Sequence, residues 1–98
     1  MKSITVEQLA AAGDIPLIDV REPDEFARGH VPGAVNLPMS DLGNRLDELP
    51  AEAFHVICEM GGRSASVVQA LEARGYDATN VDGGTAEWRA QGRPVDLP

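Results

Sequence analysis

One stretch decides how this 98-residue chain folds: His55-Val56-Ile57-Cys58-Glu59-Met60-Gly61-Gly62-Arg63-Ser64. It joins a short apolar run, typical of a buried strand, to the helical pattern of residues 65–74. A strand followed within a few residues by a helix is the repeating unit of an α/β fold with a parallel sheet. We therefore predict a strand, then a glycine-rich loop, then a helix.

Cys58 is the single cysteine of the chain and lies between the predicted strand and helix. The unpaired N–H groups of a helix N-terminus point at such a thiol, and the helix dipole favours its anion. Gly61 and Gly62 permit positive φ, so the loop amides can converge on the sulfur, while Arg63 adds a permanent cation. The alternative is an inert core thiol, but an inert position does not need a glycine-rich loop. The segment thus predicts a reactive thiolate that handles oxyanions of sulfur or phosphorus.

The same alternation of apolar runs and helical segments extends in both directions, which indicates an α/β fold with a parallel sheet. The first strand is predicted to begin at Ile4, and the others to cover residues 16–20, 34–37, 55–58 and 78–81. Five helices are predicted. The first begins with a Thr5–Gln8 capping box and ends at Ala12, and the second runs from Pro23 to Arg28. The third is capped by Ser40 and has Leu42, Leu46 and Leu49 on one face, the fourth follows the cysteine loop and is capped by Ser64 or Ser66, and the fifth begins at Thr85. Trp88 is expected to be a core residue.

Charged residues follow several of these strands. In open α/β sheets, ligands bind outside the carboxyl ends of the strands, and Cys58, Asp19 with Arg21, and Asp82 all stand at such ends. For Asp19 we favour a buried carboxylate that accepts loop N–H bonds over a catalytic acid. For Arg21 we favour a structural ion pair.

Composition limits the classes of function. The chain reads as one domain, residues 1–98, with no signal-peptide core and no apolar stretch of membrane-spanning length, so we expect a cytoplasmic protein. Sixteen acidic residues against eight basic ones give a net charge of −8, which argues against binding to nucleic acids and to anionic membranes. His30 and His55 form no ligand-spaced set with Cys58, so no metal site is expected. One cysteine excludes an internal disulfide.

Three segments together resemble the rhodanese (thiosulfate sulfurtransferase) family in its single-domain form. They are Leu17–Glu22 with its continuation through residues 25–38, the loop Cys58–Ser64, and Val81–Trp88. The resemblance implies a five-stranded, mostly parallel sheet with helices on both faces. It implies that Cys58 carries the sulfur, and that the backbone N–H groups of Glu59, Met60, Gly61, Gly62 and Arg63 form its cradle.

Domains of this family take a sulfane sulfur from a donor, here thiosulfate or a persulfide, hold it as a cysteine persulfide, and pass it to a thiophilic acceptor such as cyanide or a thiol. The resemblance implies no organic cofactor and no metal, and it allows a protein as sulfur donor or acceptor. Glu59 departs from the family pattern, which often has a neutral or basic residue there. We expect its charge to repel thiosulfate, so that Glu59→Gln would raise kcat/KM by roughly 3- to 60-fold.

Three other functions compete with general sulfur transfer. Dual-specificity phosphatases of the cell-division-cycle type share this fold, but their loop has five residues between cysteine and arginine. Here four residues separate Cys58 from Arg63, and the smaller ring suits sulfur. A non-catalytic binding or regulatory module is the second alternative, although such family members commonly lack the cysteine. The third is a sulfur relay in which the domain docks on one protein partner.

Overall fold

Five strands form one parallel sheet. They are β1 (Lys2–Ile4), β2 (Leu17–Asp19), β3 (Val35–Asn36), β4 (Phe54–Ile57) and β5 (Ala78–Val81). Across the sheet their order is β1-β5-β4-β2-β3, and every neighbouring pair is parallel. This computed structural model describes all residues from 1 to 98. The predicted α/β class and the five-stranded parallel sheet are confirmed.

Four α-helices accompany the sheet: α1 (Val6–Ala10), α2 (Pro23–Ala27), α3 (Gly62–Ala73) and α4 (Gly84–Ala90). The capping box predicted for α1 is present, because the Thr5 hydroxyl accepts from Gln8 N–H at 3.1 Å and Gln8 Oε1 accepts from Thr5 N–H at 2.8 Å. None of the helices has the length and the apolar character that crossing a membrane would require.

Two hydrophobic cores lie on opposite faces of the sheet, because side chains of a strand alternate between its faces. On one face, Val56 and Cys58 pack in a cluster with Val67, Val68 and Leu71 of α3. On the other face, the buried cluster contains residues of β4, β5, α1 and α4, namely Ile57, Val81, Val6 and Trp88, with Leu17 and Val31. Trp88 is therefore a core residue, as predicted.

The prediction of a helix after Ser40 is wrong. The segment forms two short 3₁₀ turns instead, Leu42–Asn44 and Leu46–Glu48. Gly43 and Asn44 are poor helix formers, which disfavours a continuous α-helix here. The Ser40 hydroxyl caps nothing and donates instead to Glu22 Oε1 at 2.7 Å. The leucines still face the core: Leu42 is buried, and Leu46 and Leu49 pack against the same cluster.

The helix after the cysteine loop begins earlier than predicted. Its N-cap is Gly61, with φ of 104°, so neither Ser64 nor Ser66 caps it. Ser64 is instead completely buried within the first turn. Helix α4 likewise begins one residue before Thr85, and α1 and α2 each end slightly before the predicted residue, differences within the usual scatter of helix ends.

His55 makes the stability of the fold depend on pH. It lies in the central strand, is 8% exposed, and its Nδ1 has no hydrogen-bond partner. Burial lowers the pKa of its imidazole below the ordinary value of 6.5. Below pH 6.5 the unfolded chain therefore binds more protons than the folded chain. The free energy of unfolding consequently decreases as the pH falls from 6.5 toward the lower pKa that His55 has in the folded protein.

We predict that the urea midpoint falls between about pH 7 and about pH 5.5, and that His55→Leu makes this fall smaller. Urea titrations at the two pH values measure it. The matched control is His30→Gln, which leaves His55 in place and should keep the wild-type difference. An unchanged pH dependence in His55→Leu would contradict the assignment to this imidazole.

Candidate active site

The carboxyl edge of the sheet brings the predicted site residues together. Cys58 directly follows β4, Asp19 ends β2, and Asp82 directly follows β5. These three strands are neighbours in the sheet and run parallel, so their ends meet at one edge. This edge is where ligands bind in open α/β sheets.

The sulfur of Cys58 lies in a cradle formed by the loop and the first turn of α3. Cys58 is 1% exposed, and its Sγ accepts from Gly61 N–H at 3.1 Å and from the Ser64 hydroxyl at 3.3 Å. Burial by itself would raise the pKa of the thiol. The Ser64 hydroxyl and the nearby N–H groups of Ser64, Gly61 and Met60 together outweigh burial, so the pKa of Cys58 is lowered from its ordinary value. The site therefore favours the thiolate.

Gly61 is fixed by its carbonyl as well as by its N–H. The carbonyl accepts from Ala65 N–H at 3.1 Å and from Asn80 Nδ2 at 3.4 Å, and it lies 3.2 Å from the Ser64 hydroxyl, whose one hydrogen it shares with Cys58 Sγ. Its φ of 104° disfavours any residue with a Cβ. These contacts hold Gly61 in place, so that its own N–H stays aimed at the sulfur. The sequence did not indicate Asn80 as a contributor.

The beginning of α4 is hydrogen-bonded to the backbone of the loop that forms the cradle. The carbonyl of Cys58 accepts from both the N–H and the hydroxyl of Thr85, each at 3.0 Å, and the carbonyl of Glu59 accepts from Ala86 N–H at 2.9 Å. A Cβ on Gly84 would lie 2.5 Å from the Glu59 carbonyl oxygen. Only glycine allows this approach, which gives a physical reason for glycine at position 84.

Arg63 lies in the first turn of α3 but donates no hydrogen bond to the sulfur. Its guanidinium forms a two-point ion pair with Glu25 of α2, at 2.7 and 2.8 Å. The hydrogen bond from Arg63 is the main reason that the pKa of Glu25 is lowered to about 2. The predicted cation is thus near the cradle and interacts with the Cys58 charge through space, but its hydrogen bonds go to a carboxylate that the sequence did not indicate.

Asp19 and Arg21 form a buried ion pair beneath the loop. Asp19 is fully buried and accepts from Arg21 N–H at 3.0 Å, from Nε at 3.1 Å and from Nη2 at 2.8 Å. Arg21 also donates to the Gly29 carbonyl at 3.0 Å. This is the buried carboxylate and structural ion pair that the sequence favoured over a catalytic acid.

Glu59 does not stand as a free charge beside the sulfur, as the sequence led us to expect. One carboxylate oxygen accepts from Arg21 Nη1 at 3.2 Å, and the other pairs with Arg89 of α4. Two guanidinium groups therefore offset its negative charge. The sequence could not show this because Arg21 and Arg89 are 38 and 30 residues away along the chain.

Comparison with known proteins places this geometry in a family. The family model described as rhodanese-like domain matches residues 4–91. The protein YtwF of Bacillus subtilis (strain 168) is 36% identical over 89 residues, which cover 90% of this chain and 86% of that protein. A protein of Allochromatium vinosum named as a sulfurtransferase is 36% identical over 94 residues, 94% of this chain and 88% of that one.

Solved structures show the same fold over the full length. The crystal structure of a rhodanese-related protein from Thermoplasma volcanium superposes with a TM-score of 0.92 at 32% identity, and all of both chains is covered. A rhodanese-like domain protein from Staphylococcus aureus gives 0.88 at 36% identity, covering 100% of this chain and 99% of that one.

Proposed function

Because the chain belongs to the rhodanese-like domain family, we propose that it is a sulfurtransferase that carries a sulfane sulfur as a persulfide on Cys58. The observation that carries the proposal is the cradle, in which Gly61 N–H and the Ser64 hydroxyl both donate to a buried sulfur whose pKa is lowered. A sulfurtransferase needs a thiolate, since the thiolate is the nucleophile. General sulfur transfer is also what the names of its relatives support.

With thiosulfate as donor, the Cys58 thiolate attacks the outer sulfur. A bond forms between Sγ and that sulfur, the sulfur–sulfur bond of thiosulfate breaks, and sulfite leaves with its electron pair. The N–H groups of the cradle then stabilise the persulfide anion as they stabilised the thiolate. Cyanide next attacks the outer sulfur, thiocyanate leaves, and the electron pair of the broken bond returns to Sγ of Cys58.

The position of Arg63 disfavours the phosphatase alternative. A phosphate ester needs a guanidinium free to bind its oxygens, whereas Arg63 is already held at two points by Glu25. The short loop of four residues between Cys58 and Arg63 also leaves a small ring. We therefore propose that the cradle holds a single sulfur rather than a phosphoryl group.

Mass spectrometry of the protein after incubation with thiosulfate tests the proposal. We expect one added sulfur atom on Cys58, which cyanide removes as thiocyanate, and negligible hydrolysis of aryl phosphates. Absence of added sulfur from both thiosulfate and a low-molecular-weight persulfide donor would reject it. Phosphatase turnover that depends on Cys58 would favour the rival activity. A persulfide that forms but resists cyanide and small thiols would indicate a relay to one protein partner.

The pairing of Glu59 changes what its removal should do. We now predict that Glu59→Gln raises kcat/KM for thiosulfate by less than about threefold, because Arg21 and Arg89 already offset the carboxylate charge. Steady-state assays at low salt measure it. Glu72→Gln, an equal charge change at an exposed position of α3, is the matched control. A gain above tenfold would show that the charge acts on the donor unpaired.

A further inference from the structure

A cavity lined entirely by charged side chains opens beside the cysteine loop. Its volume is about 450 Å³, and its lining consists of Arg21, Glu25, Arg28, Glu59 and Arg89. Glu59, the residue directly after Cys58, connects this cavity to the cradle. Small-molecule sites typically have volumes of about 300 to 1,000 Å³, so the space suits something larger than a lone sulfur oxyanion.

The carboxylates of this cavity are already paired. Glu25 is held at two points by Arg63, which lies outside the cavity, and Glu59 is held by both Arg21 and Arg89. No carboxylate of the lining is therefore left to attract a cationic ligand. Three guanidinium groups share the same lining.

Two of these guanidinium groups retain unused donors. The side-chain hydrogen bonds of Arg89 are limited to one contact from Nη2 to Glu59, and those of Arg28 to one contact from Nη2 to Asp24 at 3.1 Å. A guanidinium has five N–H donors. The Arg28–Asp24 pair is 72% exposed on both sides, and an exposed pair of this kind opens at little cost. Arg28 and Arg89 can thus turn a planar fork toward an incoming anion.

We propose that this cavity binds the carboxylate of an acceptor thiol and so brings its sulfur to the Cys58 persulfide. Carboxylates match the guanidinium fork, which can bind them at two points. The charge of the lining supports an anionic ligand, because it contains three guanidinium groups and only the two carboxylates of Glu25 and Glu59. The proposal rests on the proposed function and adds the class of acceptor.

The transfer needs no oxidant or reductant. The deprotonated sulfur of the acceptor attacks the outer sulfur of the Cys58 persulfide and forms a new sulfur–sulfur bond. The bond between Sγ and the outer sulfur breaks, and its electron pair remains on Sγ as the thiolate that the cradle stabilises. The acceptor leaves as its own persulfide.

Single-turnover transfer from the persulfidated protein tests this assignment. The probes are 3-mercaptopropionate, which has a carboxylate, and 2-mercaptoethanol, which has none, and the quantity measured is the ratio of their rate constants. At low salt, Arg28→Gln and Arg89→Gln should each lower this ratio by about 3- to 30-fold. Arg74→Gln, an exposed arginine outside the cavity, should leave both rate constants unchanged.

A second measurement does not depend on sulfur transfer. The thioether 3-(methylthio)propionate should bind to the unloaded protein, and each cavity variant should weaken its affinity by a similar factor, as followed by NMR titration. An unchanged rate ratio in both cavity variants, or an absence of binding, would overturn the proposal. If the protein accepts sulfur and turns over cyanide but shows no preference for the carboxylate, only this proposal fails. If Cys58 never accepts sulfur, the proposed function fails.

Discussion

Replacing Cys58 by serine should reduce the formation of thiocyanate from thiosulfate and cyanide to the uncatalysed rate. The hydroxyl is nearly isosteric with the thiol, but it does not ionise near neutral pH and cannot form the persulfide. Loss of the nucleophile in covalent catalysis lowers kcat by factors on the order of 10⁴ or more. Steady-state assays measure the loss, and thermal melting checks that the variant, altered at one buried atom, keeps its fold.

Ser64→Ala is the informative companion to that variant. It removes one of the two hydrogen bonds that Sγ accepts and leaves the one from Gly61 N–H. We expect slower sulfur transfer and a raised pKa of the Cys58 thiol, since the Ser64 hydroxyl is the foremost of the groups that lower it. Substantial turnover by Cys58→Ser would contradict the assignment of the nucleophile.

Local patterns predicted the parts of the fold that depend on neighbours in sequence. Short apolar runs indicated the strands, and the Thr5–Gln8 spacing indicated the capping box that the structure contains. The glycines after Cys58 indicated a loop with positive φ, which Gly61 adopts. These features arise within a few residues of chain, where spacing alone is informative.

The partners of the charged site residues were not predictable in the same way. Arg63 pairs with Glu25, and Glu59 with Arg89, across 38 and 30 residues. Which carboxylate pairs with which guanidinium depends on how α2 and α4 pack against the loop. The spacing of residues along the chain does not predict that packing. The need for glycine at position 84 could not be predicted either, because it arises from the Glu59 carbonyl oxygen, which would lie 2.5 Å from a Cβ at that position.

The prediction of a helix after Ser40 was wrong for a different reason. Leu42, Leu46 and Leu49 have helical spacing and do contact the core, so the periodicity was informative about burial. The intervening glycine and asparagine weaken the helix itself, and two 3₁₀ turns direct the same side chains inward. Burial pattern and backbone conformation are separate properties, and here they diverged.

Asp19→Ala should be the most destabilising single change among the ionisable residues. It would leave Arg21, whose side chain is 2% exposed, without the carboxylate that accepts three of its N–H groups. Removing one partner of a buried ion pair costs about 3 to 5 kcal/mol, a large part of the roughly 5 to 15 kcal/mol by which such domains are stable. Urea denaturation at neutral pH measures the loss.

The matched control for that change is Asp24→Ala, which breaks the Arg28 pair in which both side chains are 72% exposed. An exposed pair contributes at most about 1 kcal/mol, so the difference between the two variants isolates the effect of burial. Adding Arg21→Met to Asp19→Ala should restore part of the lost stability, because no unpaired charge then remains buried. If Asp19→Ala costs no more than Asp24→Ala, the buried pair is not what holds the base of the loop. A large loss of stability would show that the buried pair holds the base of the loop. Because Arg21 also binds Glu59, the same pair would then help to position a charged residue that lines the cavity beside Cys58.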